Sequence, residues 1–312
     1  MTANLLEIRG LGRSYGKVRA VDDLSFAMAG GQITGFVGPN GAGKTTTMRI
    51  VATLDVPDEG EALVDGLSVL EYPRRVRMKI GYMSDQFHPY PNLDVLQYLD
   101  FFARAYGLTG RRRVHTVRSV ASFCGLDGFA DRLATGLSKG MGQRLHLAKT
   151  LLHDPELLIL DEPASGLDPR ARIEFRALLK ELAAAGKGIL ISSHILTELG
   201  EMCDSVVVIE KGRLEQAGTI ESMREAVKLE HPVQLRVTER VEDVHKLLLT
   251  QPYIGDVTVD GDIVRFDFSA DDAALAALLN KIVVAGIPVV EFMRLEAGLE
   301  DIFLRSTRGA LQ

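Results

Sequence analysis

Three short apolar runs constrain this chain more than any other feature: Leu157–Leu160, Gly188–Ile191 and Val206–Ile209. Each is too short for a helix, is rich in branched side chains and lacks the polar alternation of a strand with one face in water. Strands of this kind are buried on both faces, the habit of parallel sheets covered by helices. The rest of residues 1–215 fits that plan. Leu24–Met28 and Gln32–Val37 read as strands separated by a turn at Gly30-Gly31, and Ala62–Val64 and Ile80–Met83 as shorter strands. Thr45–Val51 opens a helix. Apolar residues at 93, 96, 99, 102, 103 and 106 keep helical spacing between Asn92 and Tyr106. Further helices are expected over Arg113–Phe123 and Lys139–Leu152. Residues 87–152 are thus nearly all helical and interrupt the alternation, as a helical insert would.

After Gly218 the pattern changes. A strand at Val233–Val237, a helix at Val241–Leu249, strands at Ile254–Val259 and Ile263–Phe268 across Asp260-Gly261-Asp262, a helix at Asp271–Val284 and a strand at Pro288–Leu295 make a βαββαβ order. Leu299–Arg305 reads as a last helical turn or two. Charge marks the same division. Residues 1–218 hold 26 basic and 26 acidic side chains and residues 219–312 hold 10 and 16, so the whole net charge of −6 lies in the second part. The expected organisation is an α/β domain over 1–218, with its helical subdomain at about 87–152, and a small α+β domain over 219–312.

Composition excludes several classes. No basic excess suggests a nucleic-acid partner. The two cysteines, Cys124 and Cys203, have no paired or metal-ligand spacing, which suits a reducing compartment. The start, MTANLLEIRG, lacks the pattern of a signal peptide, and no apolar stretch approaches the roughly 20 residues that span a bilayer.

Chemistry is concentrated in Gly38-Pro39-Asn40-Gly41-Ala42-Gly43-Lys44-Thr45, which matches G-x-x-x-x-G-K-[ST] between a strand and a helix. Glycines let backbone N–H groups crowd around phosphate oxygens, and the helix start adds its positive dipole end. Lys44 can neutralise phosphate charge, and the Thr45 hydroxyl, followed by Thr46, can ligate Mg²⁺. Asp161 follows the run Leu157–Leu160, where parallel sheets place ligands. It reads as a carboxylate serving Mg²⁺, and Glu162 as a general base that polarises water. The bland alternatives are a glycine-rich turn and a strand-end cap.

With these motifs the chain resembles the ATP-binding subunit of ATP-binding cassette (ABC) transporters, over roughly residues 4–218. The signature region is Leu137-Ser138-Lys139-Gly140-Met141-Gly142-Gln143-Arg144, with Lys139 and Met141 where the family pattern LSGGQ has Gly and Gln. The resemblance implies a phosphate-loop nucleotide hydrolase fold and further roles. Tyr15 would stack on adenine. Gln86 would reach the Mg²⁺ and water region and couple to the membrane subunit. Ser165-Gly166-Leu167-Asp168 would link two nucleotide sites, and His194 would contact the γ-phosphate. Ser138 and Gly140 would cap the γ-phosphate of ATP held by a second copy, or by a second cassette subunit. The family works with a separate transmembrane permease, and Ala297–Leu304 resembles the end of export-type subunits, so export of a drug, antibiotic or lipid-like substrate is expected. A peripheral place on the cytoplasmic side of the membrane follows. The arginines of 74–79 and 111–113 read as solvated helix surface.

Other classes fit less well. A GTPase needs N-K-x-D, and Asn280-Lys281 is followed by Ile282-Val283. A soluble cassette ATPase acting on ribosomes or nucleic acid would carry two cassettes or long heptad arms. A binder that has lost hydrolysis would not need Glu162 and His194.

Overall fold

The computed structural model describes residues 4–193, 199–200, 202–222 and 231–295. The chain divides into two compact units, Met1–Thr219 and Ile220–Gln312.

The first unit contains two sheets. One is antiparallel, in the order β2-β1-β4-β5, from β1 (Asn4–Tyr15), β2 (Val18–Ala29), β4 (Glu59–Val64) and β5 (Leu67–Ser68). The other has six strands in the order β10-β9-β3-β8-β7-β6. Its members are β3 (Ile33–Val37), β6 (Ile80–Met83), β7 (Leu157–Leu160), β8 (Gly188–Ser193), β9 (Ser205–Glu210) and β10 (Arg213–Thr219). Strands β9, β3, β8, β7 and β6 run parallel, and β10 closes the edge antiparallel. Every residue of β3 and β7 is buried, as expected for strands covered on both faces. Helix α1 (Lys44–Val51) contributes Met48, Ile50 and Val51 to a core that also takes Leu6, Ile8, Leu24 and Phe26 from the first sheet and Phe36, Ile159 and Leu190 from the second. One apolar core thus ties both sheets to the helix that follows the glycine-rich loop.

One strand of the first sheet departs from the sequence reading. Strand β1 was not foreseen. Its pattern, NLLEIRGLGRSY, is broken by register shifts that spoil simple alternation. It forms a hairpin with β2 over Gly16-Lys17. The expected turn at Gly30-Gly31 carries the chain from the first sheet into the second. Short α2 (Pro73–Lys79) leads into β6, and its Arg74, Arg75 and Arg77 are exposed, Arg77 donating to Thr53 Oγ1.

Between β6 and β7 stand α3 (Val95–Ala105), α4 (Gly110–Phe123) and α5 (Lys139–Leu151), which pack on one another. Helix α3 starts at Val95 because Asp94 and Gln97 form a reciprocal capping box. The stretch Ser84–Leu93 is irregular, so the insert is less helical than its sequence suggests. Helix α6 (Pro169–Ala184) buries Phe175, Leu179 and Leu182.

The second unit runs β11 (His231–Val237), α7 (Val241–Leu249), β12 (Ile254–Asp260), β13 (Ile263–Phe268), α8 (Asp272–Val284) and β14 (Val289–Arg294). Its antiparallel sheet has the order β12-β13-β11-β14. Val233, Leu235, Val264, Phe266 and Phe268 alternate onto one face and meet Val244, Leu248, Leu278 and Ile282 of the two helices. The segment Leu299–Arg305 lies outside the described residues.

Candidate functional site

Parallel pairing places the loops after β3, β6 and β7 at one edge of the six-stranded sheet, with Val37 beside Ser193, Leu160 beside Ile191 and Met83 beside Leu160. Residues far apart in sequence converge there.

The loop Gly38–Gly43 makes the first wall. Gly43 is the residue before α1 and has φ 103°, a conformation open to glycine. A β-carbon at Gly43 would collide with the Ala20 carbonyl of β2, and one at Gly38 with the Ile209 carbonyl of β9. Gly41, at φ 82°, has open space where its β-carbon would be. The loop is therefore packed from behind and open in front. Pro39, Asn40, Gly41 and Thr45 are exposed, Ala42 is buried and Thr46 is half-buried. Lys44 is 7% exposed, and its Nζ donates to the carbonyls of Gly38 (2.6 Å) and Pro39 (3.2 Å). Burial holds the Lys44 pKa below its ordinary value, while the Glu162 and Asp161 carboxylates work against that shift.

Asp161 forms the second wall. It is 1% exposed; its Oδ1 accepts from Ser192 Oγ (2.7 Å) and its backbone N–H donates to the Met83 carbonyl (2.8 Å). Its Oδ2 is buried with no hydrogen-bond partner. The next residue, Glu162, stands at φ 49°, an uncommon place for a side chain with a β-carbon. The Glu162 N–H donates to the same Ser192 Oγ (2.8 Å). One buried hydroxyl thus orients a carboxylate and fixes the backbone that aims the next. An orphaned carboxylate oxygen, an exposed Thr45 and a loop backed by the buried Lys44 ammonium suit an anion with a bound Mg²⁺, an ion that draws many of its ligands from water and phosphate. Among the described residues no cluster of three His, Cys, Asp or Glu could hold a metal by itself.

The third wall is the loop after β6. Gln86 is exposed, and its carbonyl accepts from Ser84 Oγ (3.0 Å). Phe87 wedges toward α5. Its ring lies 5.4 Å from the His146 ring and 5.8 Å, edge-on, from Tyr98. A β-carbon at Gly142 would stand 3.1 Å from this ring, so glycine is what lets the loop lie against the helix. Gln86, Phe87, Ser138, Lys139, Gly142 and Gln143 line a common groove of about 450 Å³. His146 is buried, and its pKa is pushed down to about 3 by desolvation first, then by Lys149 and His88.

Ser138 is the cap of α5 and accepts from Met141 N–H at 3.4 Å. Gly140 packs against Ala171 and Leu167. Asp168 caps α6, its Oδ1 accepting from Ala171 N–H (2.9 Å). Tyr15 lies at the end of β1, 46% exposed, with its hydroxyl bonded to Asp55 and the Arg13 guanidinium 5.0 Å from the ring centre. His194 lies outside the described residues. Sequence reasoning missed Ser192, the hydroxyl at the far end of an apolar strand, although Ser192-Ser193 breaking the run Ile189–Ile191 was a visible signal. It also missed Phe87, which has no pattern of its own.

A glycine-rich loop at a helix start, beside a buried lysine and an acidic strand end, defines a phosphate-loop nucleotide hydrolase. A family model described as ABC transporter matches residues 21–165. The chain is 33% identical over 306 residues to Nod factor export ATP-binding protein I of Ralstonia nicotianae, covering 97% of this chain and 94% of that protein. It is 35% identical over 214 residues to the ABC transporter ATP-binding protein NatA of Bacillus subtilis, covering 68% and 87%. A solved ATP-binding subunit of an ABC transporter superposes with a TM-score of 0.65 at 31% identity, over 71% of this chain and 92% of that one. The chain belongs to the ABC transporter ATP-binding subunits and is an ATPase of that family. Among the described residues no helix is long and apolar enough to cross a membrane.

Proposed function

We propose that this chain hydrolyses MgATP to drive a separate membrane permease in export, two copies closing head-to-tail over two ATPs. The Asp161–Ser192–Glu162 arrangement beside buried Lys44 carries this reading. Lys44 and backbone N–H groups of the loop and helix start, Gly41 and Gly43–Thr46, hold the phosphates. Thr45, Asp161 and Gln86 are the groups that would hold Mg²⁺, which when bound neutralises phosphate charge. Glu162 accepts a proton from the attacking water, and His194 steadies the γ-phosphate. Tyr15 supports the adenine. Ser138 and Gly140 of one copy, with Asp168 in the adjoining loop, meet the ATP of the other. Loss of the γ-phosphate removes the charge that holds the copies together.

Export follows from the names of the relatives, a Nod factor exporter and probable multidrug systems. The permease supplies the membrane span, so the chain works at the cytoplasmic face. Residues 219–312 form an accessory domain, and among its described residues no group of three His, Cys, Asp or Glu could hold a metal. Glu162→Gln should retain ATP binding, slow hydrolysis by about 100-fold or more and accumulate an ATP-bound dimer. Hydrolysis at the parent rate would remove Glu162 as base. Co-purification with a multispanning membrane protein supports the transport role; co-purification with ribosomes or DNA opposes it.

A further inference from the structure

Tyr15 is fastened more firmly than an exposed tyrosine requires. It ends β1 and pairs with Val18 across the hairpin. Further along β2, the Ala20 carbonyl is the atom that a β-carbon at Gly43 would strike, so this hairpin and the phosphate loop are neighbours. The Tyr15 hydroxyl is bonded to Asp55, and the Arg13 guanidinium covers one face of the ring. Arg13 is itself clamped, Nη2 to Asp55 Oδ1 and Nη1 to Asp58 Oδ1, each at 2.8 Å. Asp58 also fixes the backbone on both sides of Arg13: its Oδ2 accepts from Ser14 N–H (2.7 Å) and its own N–H donates to the Gly12 carbonyl (2.8 Å). The pairing of β1 with β2 shifts register before and after Arg13, the kind of irregularity that re-aims side chains beside functional sites. Asp55 and Asp58 stand between α1 and β4, so the helix that starts at the phosphate loop leads into the segment that holds the ring. Stability does not account for the cluster, because ion pairs open to water contribute little and a surface hydroxyl loses nothing by bonding to water. What the cluster does is fix a plane. The hydroxyl and one face of the ring are taken, and Tyr15 is still 46% exposed.

We propose that Arg13, locked by Asp55 and Asp58, is a positioning residue for the nucleotide base: it holds the Tyr15 ring in one plane before the nucleotide arrives and leaves the opposite face for the base. The proposal rests on the adenine role given to Tyr15 above. Arg13 acts through the ring and touches no part of the nucleotide. A ring already fixed loses no freedom when a base stacks on it, so more of the stacking energy is retained as affinity. The fork of the guanidinium is what the role demands, since a lysine ammonium cannot hold two carboxylates and lie flat on a ring at once.

The test compares two probes on the full chain by calorimetry with Mg²⁺ present: ADP, which carries a base, and inorganic pyrophosphate, which does not. Tyr15→Ala should weaken ADP binding by about tenfold or more, the size of one base stacked on an aromatic ring. Arg13→Gln should weaken it by about three- to fivefold, and Arg13→Lys should do the same. Pyrophosphate binding should stay at the parent value in all three, which a folding defect would not allow. The double variant Arg13→Gln/Tyr15→Ala should bind ADP no more weakly than Tyr15→Ala alone, because Arg13 has nothing to act on once the ring is gone. In steady state, Arg13→Gln should raise the KM for ATP and leave kcat unchanged. Parent-like binding by Arg13→Lys overturns the clamp, since charge alone would then suffice. Additive losses in the double variant overturn it as well, by placing Arg13 on the nucleotide itself. Pyrophosphate weakened along with ADP overturns it by showing a disturbed phosphate loop. If Tyr15→Ala binds ADP as the parent does, the adenine role of Tyr15 falls and the proposal with it. If Tyr15→Ala weakens ADP and Arg13→Gln does not, that role stands and the positioning role of Arg13 is overturned.

Discussion

The two units treat buried polarity in opposite ways. In the first, Lys44, Thr47, Asp161, Ser192 and Ser193 are buried at or beside one edge of the sheet, and Gln143 and His146 are buried in the helix behind the groove. In the second, no polar or charged residue is buried among those described, and its core is made of Val, Leu, Ile and Phe. Burying such groups costs free energy unless each is partnered, and Asp161, Gln143 and His146 each keep an unpartnered atom. The first unit thus gathers these buried polar residues at and behind the candidate site, whereas in the second the unpartnered buried side-chain atom among the described residues is Arg294 Nε.

The sharpest way to break this contrast is Phe266→Ala. It should destabilise the second unit by about 3–5 kcal/mol through the cavity it leaves, while ATP hydrolysis at 25 °C is unchanged. Calorimetry and a steady-state assay on the same variant check both; lost hydrolysis would mean that the units are not energetically separate. His146 comes next. Its native pKa lies below that of the unfolded chain, so the unfolded chain takes up a proton near pH 6.5 that the native state refuses down to about 3. Stability is full above that range and is lost as pH falls through it. His146→Leu should remove up to about 2.7 kcal/mol of the loss between pH 6.5 and 4.5, read as the difference between parent and variant urea midpoints. The smallest effect is expected for Ser192→Ala, which deprives Asp161 of a donor and Glu162 N–H of its acceptor. It should lower kcat by about 1–2 kcal/mol in barrier terms with the KM for ATP little changed, and Ser192→Thr should restore most of it. An equal change in KM would assign the hydroxyl to nucleotide binding instead.

Much of this was legible in sequence because the governing patterns are local. The fully buried strands β7 and β8, and the buried Val206–Ile209 of β9, announce themselves as short branched runs, and the loop Gly38–Thr45 by glycines whose spacing the backbone requires. The βαββαβ order of the second unit was readable for the same reason, with β13 the strand that alternates most regularly. What stayed hidden depends on long-range pairing. Strand β1 gains its place from β2 and β4 and from irregular registers. Ser192 matters through contacts 30 and 31 residues away. The fit of Phe87 against Gly142 couples a loop to a helix that no single window contains.

The helical insert leaves the sheet after β6 and returns into β7, and these two strands are hydrogen-bonded neighbours. The insert is thus a detour between adjacent rungs of one ladder, entered and left without disturbing the rungs. Descendants of such a chain can lengthen, trim or reshape the detour to suit a new membrane partner and keep the machinery at the sheet's edge in register. The same architecture explains how one engine can be fitted to many loads.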